Sequence, residues 1–131
     1  MISMSLALRN ARLQAIVDAL DKGARPAVLK MYDGKRPRTG GPGSTLLAEI
    51  SLSRPCGYVD GGTLTMGAFG KAKGLAMGIA SWARFESGRG EAVLDASVGL
   101  EDADILMVGS CAIATGQPVE IETAEFTEPG A

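Results

Sequence analysis

From Pro26 to the end of the chain, no stretch keeps apolar residues at helical spacing, and glycine-rich clusters return roughly every ten residues. Glycine accounts for 18 of the 131 residues, about twice the usual ~7%. Punctuation of that density leaves room for short strands and turns and little else. One helical segment lies ahead of it. Leu6, Leu13, Ile16, Val17 and Leu20 share one face over residues 4–22, and Ala7, Ala11, Ala15 and Ala19 form a second stripe at four-residue steps. Ser3 or Ser5 can cap the start. Gly23 can take the left-handed position after the last turn, and Pro26 forbids continuation.

The strands follow from alternation between turn signals. Residues 27–32, 45–52, 63–67, 75–86, 91–98, 104–114 and 119–127 are each predicted to be extended, with the 104–114 stretch holding one strand or two. The polar segments 33–44 and 53–61 read as loops. Ser87-Gly88-Arg89-Gly90 reads as the turn of a hairpin joining the 75–86 strand to the 91–98 strand. One helix and seven or eight short strands predict a mainly β fold, a jelly-roll-like β-sandwich with one N-terminal α-helix. Residues 1–24 are the helix, packed on or beside the sandwich, and 25–131 are the sandwich. The small residues Ala76, Gly78 and Ala80 form one face of the long strand, where the alanine stripe of the helix is expected to dock. The alternative is that the helix leaves its domain and docks on another subunit.

At 46% hydrophobic and 21% charged residues the composition is that of a globular chain. No apolar run approaches the ~18 residues of a membrane span, and no signal-peptide pattern opens the chain, so a reducing cytosol and free Cys56 and Cys111 are expected. The net charge is −2, which argues against non-specific nucleic-acid binding. The charge is uneven: residues 1–65 carry +4 and residues 66–131 carry −6. These halves either face opposite ways on an assembling subunit or interleave and cancel.

No set of residues stands out as catalytic. Histidine is absent, which removes every scheme that needs an imidazole base. Gly40-Gly41-Pro42-Gly43-Ser44-Thr45 lacks the lysine of a phosphate-binding loop and precedes a strand. Gly67–Gly74 has the wrong glycine spacing for a dinucleotide site. Glu120 and Glu122 sit two apart on a predicted strand, on a face that reads as solvated. Glu101, Asp102 and Asp104 lack calcium-loop spacing. Lys35-Arg36-Pro37-Arg38 is the densest basic patch and has no interleaved aromatics for base stacking. Trp82, the single tryptophan, reads as core or, alternatively, as the platform of a carbohydrate-binding sandwich. No catalytic, cofactor or metal residues are expected.

The order of several short motifs resembles a family of small virion proteins of tailed bacteriophages and prophages. These are Leu8-Arg9-Asn10-Ala11, Met31-Tyr32-Asp33-Gly34-Lys35-Arg36-Pro37, Thr45-Leu46-Leu47-Ala48, Gly61–Thr65, Trp82-Ala83-Arg84, Ala103-Asp104-Ile105, Gly116–Ile121 and Phe126-Thr127. Leu106–Cys111 departs from it, being more apolar than in relatives. The resemblance implies a jelly-roll-like head decoration or cement protein, non-enzymatic, on the capsid exterior and bridging major capsid protein subunits. A tail or head–tail joining component is the alternative. Self-association as a homodimer, no membrane, no direct nucleic acid and no cofactor are expected with it. The interface candidates are Leu6, Leu13, Lys35, Arg36, Arg38, Glu120 and Glu122.

Overall fold

The computed structural model describes residues 5–35, 45–67 and 69–127. Helix α1 (Leu6–Leu20) is capped by Ser5, whose hydroxyl accepts from the Leu8 N–H at 3.1 Å. Ten strands follow: β1 (Val28–Tyr32), β2 (Leu46–Ser51), β3 (Gly57–Asp60), β4 (Thr63–Met66), β5 (Gly78–Ile79), β6 (Trp82–Glu86), β7 (Ala92–Gly99), β8 (Ile105–Met107), β9 (Ala112–Ile113) and β10 (Ile121–Thr127). The mainly β sandwich with one N-terminal helix is therefore the observed fold class.

Eight strands form one curled sheet in the order β2-β1-β6-β7-β8-β10-β4-β3. It reads as two four-stranded halves. Within each half every neighbour is antiparallel, as the hairpins β1–β2, β3–β4 and β6–β7 require. The halves meet at β7 and β8, which run parallel for two residue pairs, Val98↔Ile105 and Gly99↔Leu106. Parallel neighbours usually need a crossover of a dozen residues or more. Here residues 100–104 suffice because the pairing ends at once and the chain passes from one half to the other. A clamp holds this corner. Asp104 Oδ2 accepts from the Ser97 N–H at 3.1 Å, and the Asp104 N–H donates to Ser97 Oγ at 3.0 Å.

The core lies between the halves. Leu29, Met31, Leu47, Ile50, Ala83 and Phe85 come from one side, and Leu64, Met66, Ile105, Met107 and Ala124 from the other. Phe85 meets Phe126 edge-on, with ring centroids 5.7 Å apart, so the two inner faces interdigitate.

The helix packs on its own domain, against β3, β4 and β7. Its buried residues are Leu13, Val17 and Leu20. The alanine stripe does not dock: Ala7, Ala11 and Ala15 are exposed. Burying a leucine or valine is worth about 1.5–3 kcal/mol, far more than an alanine offers, so the larger stripe turns inward. Asn10 accepts from the Gly62 N–H at 2.8 Å and ties the helix to the β3–β4 turn. At its other end the Asp21 carboxylate accepts from the Cys56 N–H at 3.2 Å. Gly23 is left-handed, with φ +102°. Arg54 donates to the carbonyls of Gly23 and Arg25 at 2.7 and 2.8 Å, fastening the link between helix and β1.

Two strand assignments differ from the sequence expectation. Residues 57–60, read as turn, form β3, because Gly57 pairs with Met66 and Asp60 with Thr63 across the Gly61-Gly62 turn. The long strand over 75–86 is broken. Residues 69–80 leave the main sheet and cross the body as a strip, joined by single bridges at Phe69, Lys73 and Gly74 and by β5 paired to β9. Leu75 N–H donates to Leu47 O and Gly70 N–H to Ser51 O, so the strip also covers the outer edge of β2.

Candidate functional site

The outer face of the β2-β1-β6-β7 half carries the densest polar chemistry among the described residues. Register places Glu49, Lys30, Arg84 and Asp95 in one cross-strand row. Two cations side by side would repel, and each is held by its own carboxylate. Arg84 Nε donates to Asp95 Oδ1 at 2.8 Å and Nη2 to Oδ2 at 3.2 Å. Lys30 Nζ lies 3.2 Å from Glu86 Oε1. The Asp95 hydrogen bond raises the Arg84 guanidinium further against the cost of burial. Partial burial pulls the Lys30 ammonium down, but the hydrogen bond and charge of Glu86, with Tyr32 and Glu49, carry it above the ordinary lysine value.

Trp82 flanks this row, two residues before Arg84 on β6 and opposite Tyr32 and Ser97. Its ring stacks on Tyr32 at 4.4 Å and 13°, and the Arg84 guanidinium carbon lies 5.2 Å from its centre. The indole N–H donates to Asp33 O at 3.0 Å, and Ser81 Oγ donates to Gly34 O at 2.6 Å. Asp33 in turn accepts from the Thr45 N–H at 2.9 Å, which pins both ends of the β1–β2 connection. Trp82 is only 3% exposed, so it is no platform for a sugar, and the carbohydrate-binding alternative built on it fails. A shallow hollow of 330 Å³ is lined by Trp82 together with Gly34, Ser81, Asp95, Ala96 and Ser97.

The interface candidates fall in separate places. Leu6 is 47% exposed and lies by the β3–β4 turn at Gly62. Leu13 is a correction: at 1% exposure it belongs to the core and offers no outer surface. Lys35 is exposed on the β1–β2 connection. Arg36 and Arg38 lie outside the described residues. Glu120 and Glu122 are both exposed, but Glu120 precedes β10, and the register of that strand shifts between Ile121 and Thr123. Glu120 lines a 450 Å³ groove with Lys71, Ala72, Lys73, Pro118 and Val119. Arg54 donates to the backbone carbonyls of Gly23 and Arg25.

The strip over 71–80 is the surface that the sequence reading missed. Lys71, Lys73, Leu75, Met77 and Ile79 all point outward. Leu75 is 56%, Met77 77% and Ile79 67% exposed. The inward positions are Ala72, Gly74, Ala76, Gly78 and Ala80. A side chain at Gly74 would strike the Ala114 carbonyl and, at 2.7 Å, Ile113; one at Gly78 would come within 2.9 Å of Leu47. The small residues let the strip lie flat on the body and leave every large side chain outside. Small residues at every second position from 72 to 80 are the available signal, of which the sequence expectation uses only Ala76, Gly78 and Ala80, as a helix-docking face.

Cys56 and Cys111 are both free thiols. Burial, with the nearby Asp21 carboxylate, pushes the Cys56 thiol up to about 12. Burial also raises Cys111. Among the described residues no group of three His, Cys, Asp or Glu side chains is placed to hold a metal ion, and Asp104 of the acidic turn is engaged with Ser97. No helix among them is long and apolar enough to cross a membrane. No protein-family model, curated protein or solved structure matches this chain.

Proposed function

We propose that this chain is a non-enzymatic structural protein of a phage virion, a cement or decoration protein that bridges major capsid protein subunits on the capsid exterior and self-associates as a dimer. One observation carries the reading: the segments that resemble phage virion proteins meet one another in space and fasten the scaffold. Tyr32-Asp33-Gly34 stacks on and accepts from Ser81 and Trp82. Asn10 of the first motif holds Gly62 of the fourth. Asp104 clamps the corner between the two half-sheets. What these motifs maintain is a shape rather than a reaction centre, and a subunit whose work is mechanical needs a shape. The sandwich fold also agrees with the architecture that the resemblance implies.

The mechanism follows from stiffness and repetition. A closed core transmits load, and many modest contacts on one particle multiply their effect. The test is the copy number of this protein in purified virions, measured by quantitative mass spectrometry. A shell component is expected at hundreds of copies, and a joining piece at about six to twelve, as ring symmetry requires. Release from intact heads at high salt supports the cement role. Absence from virions, or turnover of a small molecule by the purified protein, overturns it.

A further inference from the structure

We infer that Lys22, Arg25, Arg54 and Arg89 form a docking site for an extended acidic segment of a partner protein, whose carboxylates seat on these cations. The inference goes beyond the virion reading and does not depend on it.

Three stretches of chain far apart in sequence build the patch. Gly88 lies so close to the link after α1 that a side chain there would strike the Arg25 carbonyl and come within 2.9 Å of the Lys22 carbonyl. A side chain at Gly23 would stand 3.0 Å from Arg89 Cγ. The Arg54 guanidinium reaches the same link, 2.7 Å from Gly23 O and 2.8 Å from Arg25 O. Lys22 and Arg25 are one and two residues from Gly23, at most about 8 Å away at ~3.8 Å per step. All four basic residues are exposed.

No described residue balances them. The ion pairs lie elsewhere, at Lys30–Glu86 and Arg84–Asp95, and no carboxylate among the described residues is paired with any of the four. Asp21, next in sequence to Lys22, turns both oxygens to the Cys56 N–H. The two carbonyls give Arg54 a structural role, but they hold its donors without cancelling its charge. The C-terminal end of α1 offers only about half a negative charge. The chain carries −2 overall, so the residues outside the patch sum to −6. Carboxylates are plentiful and none is placed here. Like charges gathered this closely repel unless a partner supplies the opposite sign.

The adjoining shape suits a peptide. A groove of 520 Å³ is lined by Arg25, Ser87 and Gly88 and, further along β1, by Lys30, Glu49 and Glu86. Ser87 is 5% exposed. Its Oγ accepts from the N–H groups of Arg89 and Glu91 at 3.2 and 3.4 Å, which leaves its own O–H to donate. A carboxylate seated beside Arg25 thus meets a guanidinium fork and a hydroxyl donor. Glu49 and Glu86 tolerate an amide backbone and repel a run of phosphates. No aromatic side chain lines the groove for base stacking. Both features select an acidic peptide over a nucleic acid.

Fluorescence anisotropy of a fluorescein-labelled hexaglutamate peptide titrated with the purified chain tests this. Binding is expected at about 50 mM salt and lost at about 0.5 M, where the screening length falls below about 5 Å. Arg25→Glu and Arg89→Glu, both at exposed sites, are expected to stay folded by circular dichroism and to weaken binding at least about tenfold each, as reversal of a contacting charge does. Lys35→Glu changes the net charge equally but lies beyond the far end of β1, and it is expected to leave binding within about twofold. A chain that does not bind the peptide at low salt overturns the inference, and so do folded arginine variants that bind like wild type. A loss in Lys35→Glu as large as that in Arg25→Glu also overturns it, because the peptide then responds to net charge or to the β1–β2 connection. A thymidine oligonucleotide of equal charge that binds more tightly than the peptide overturns it in favour of a nucleic acid. These measurements need no particle, so they stand or fall apart from the virion copy number.

Discussion

At the scale of single residues, the outer face around Trp82 shows how polar groups become structural. Trp82 is stacked, hydrogen-bonded and nearly buried, so Trp82→Ala should cost about 3–5 kcal/mol in urea denaturation, as large core truncations do. Asp95→Ala leaves the Arg84 guanidinium buried without its carboxylate and should cost about 3 kcal/mol, whereas replacing both residues by apolar ones should cost less. Cys56 makes a pH prediction. Below pH 9 both folded and unfolded states carry the neutral thiol. Between 9 and about 12 only the unfolded state loses its proton, so stability should fall as pH rises through that window. Lys30, whose folded state also holds its proton more tightly, adds to the same alkaline loss. Chemical denaturation at several pH values should show a smaller loss above pH 9 in Cys56→Ala. The identity of these residues was legible in the sequence, but their partners were not. Arg84 and Asp95 are 11 residues apart and Trp82 and Asp33 are 49 apart, and only strand register brings each pair together.

At the scale of elements, periodicity located the segments well and their faces unevenly. The helix and the stripe through Leu13, Val17 and Leu20 follow from spacing alone, and of the two serines that could cap it, Ser5 does. Leu6 shares that stripe but reaches only the β3–β4 turn at Gly62 and stays 47% exposed. Leu13→Ala should therefore cost about 2–5 kcal/mol, against about 0.5 kcal/mol or less for Leu6→Ala, in the same denaturation assay. The strip over 71–80 shows the opposite case. Alternation of large and small residues marks an extended segment with two unlike faces, and burial of the large apolar face is the usual outcome. Here the body beneath the strip is already filled by Leu47, Ile113 and the Ala114 carbonyl, so only the small side fits. Gly74→Ala places a methyl against that carbonyl and should cost about 1–3 kcal/mol, although alanine ordinarily suits a strand better than glycine.

At the scale of the whole molecule, the corner between β7 and β8 decides the architecture. It turns a row of hairpins into two facing half-sheets, and Phe85 and Phe126 meet only because of it. Most pairings in such a fold join distant parts of the chain, which makes closure slow. Refolding followed by the fluorescence of Trp82, the sole tryptophan, should have its main phase in milliseconds to seconds, as sandwiches do, and a microsecond main phase would contradict this topology. The charge asymmetry belongs to this scale too. Lys30 of the basic half pairs with Glu86 of the acidic half, and the cross-strand row joins Glu49 and Lys30 of the first to Arg84 and Asp95 of the second. In this sheet the two halves interleave.

The chain's own order of apolar, small and turn residues determined that it forms one helix and many short strands, because local periodicity and backbone freedom act within a few residues. Which faces turn inward, which cation meets which carboxylate, and which apolar row is left in water were decided by the tertiary structure. Those outcomes depend on competition for a limited interior among segments tens of residues apart, and space already taken by one segment is invisible from the sequence of another.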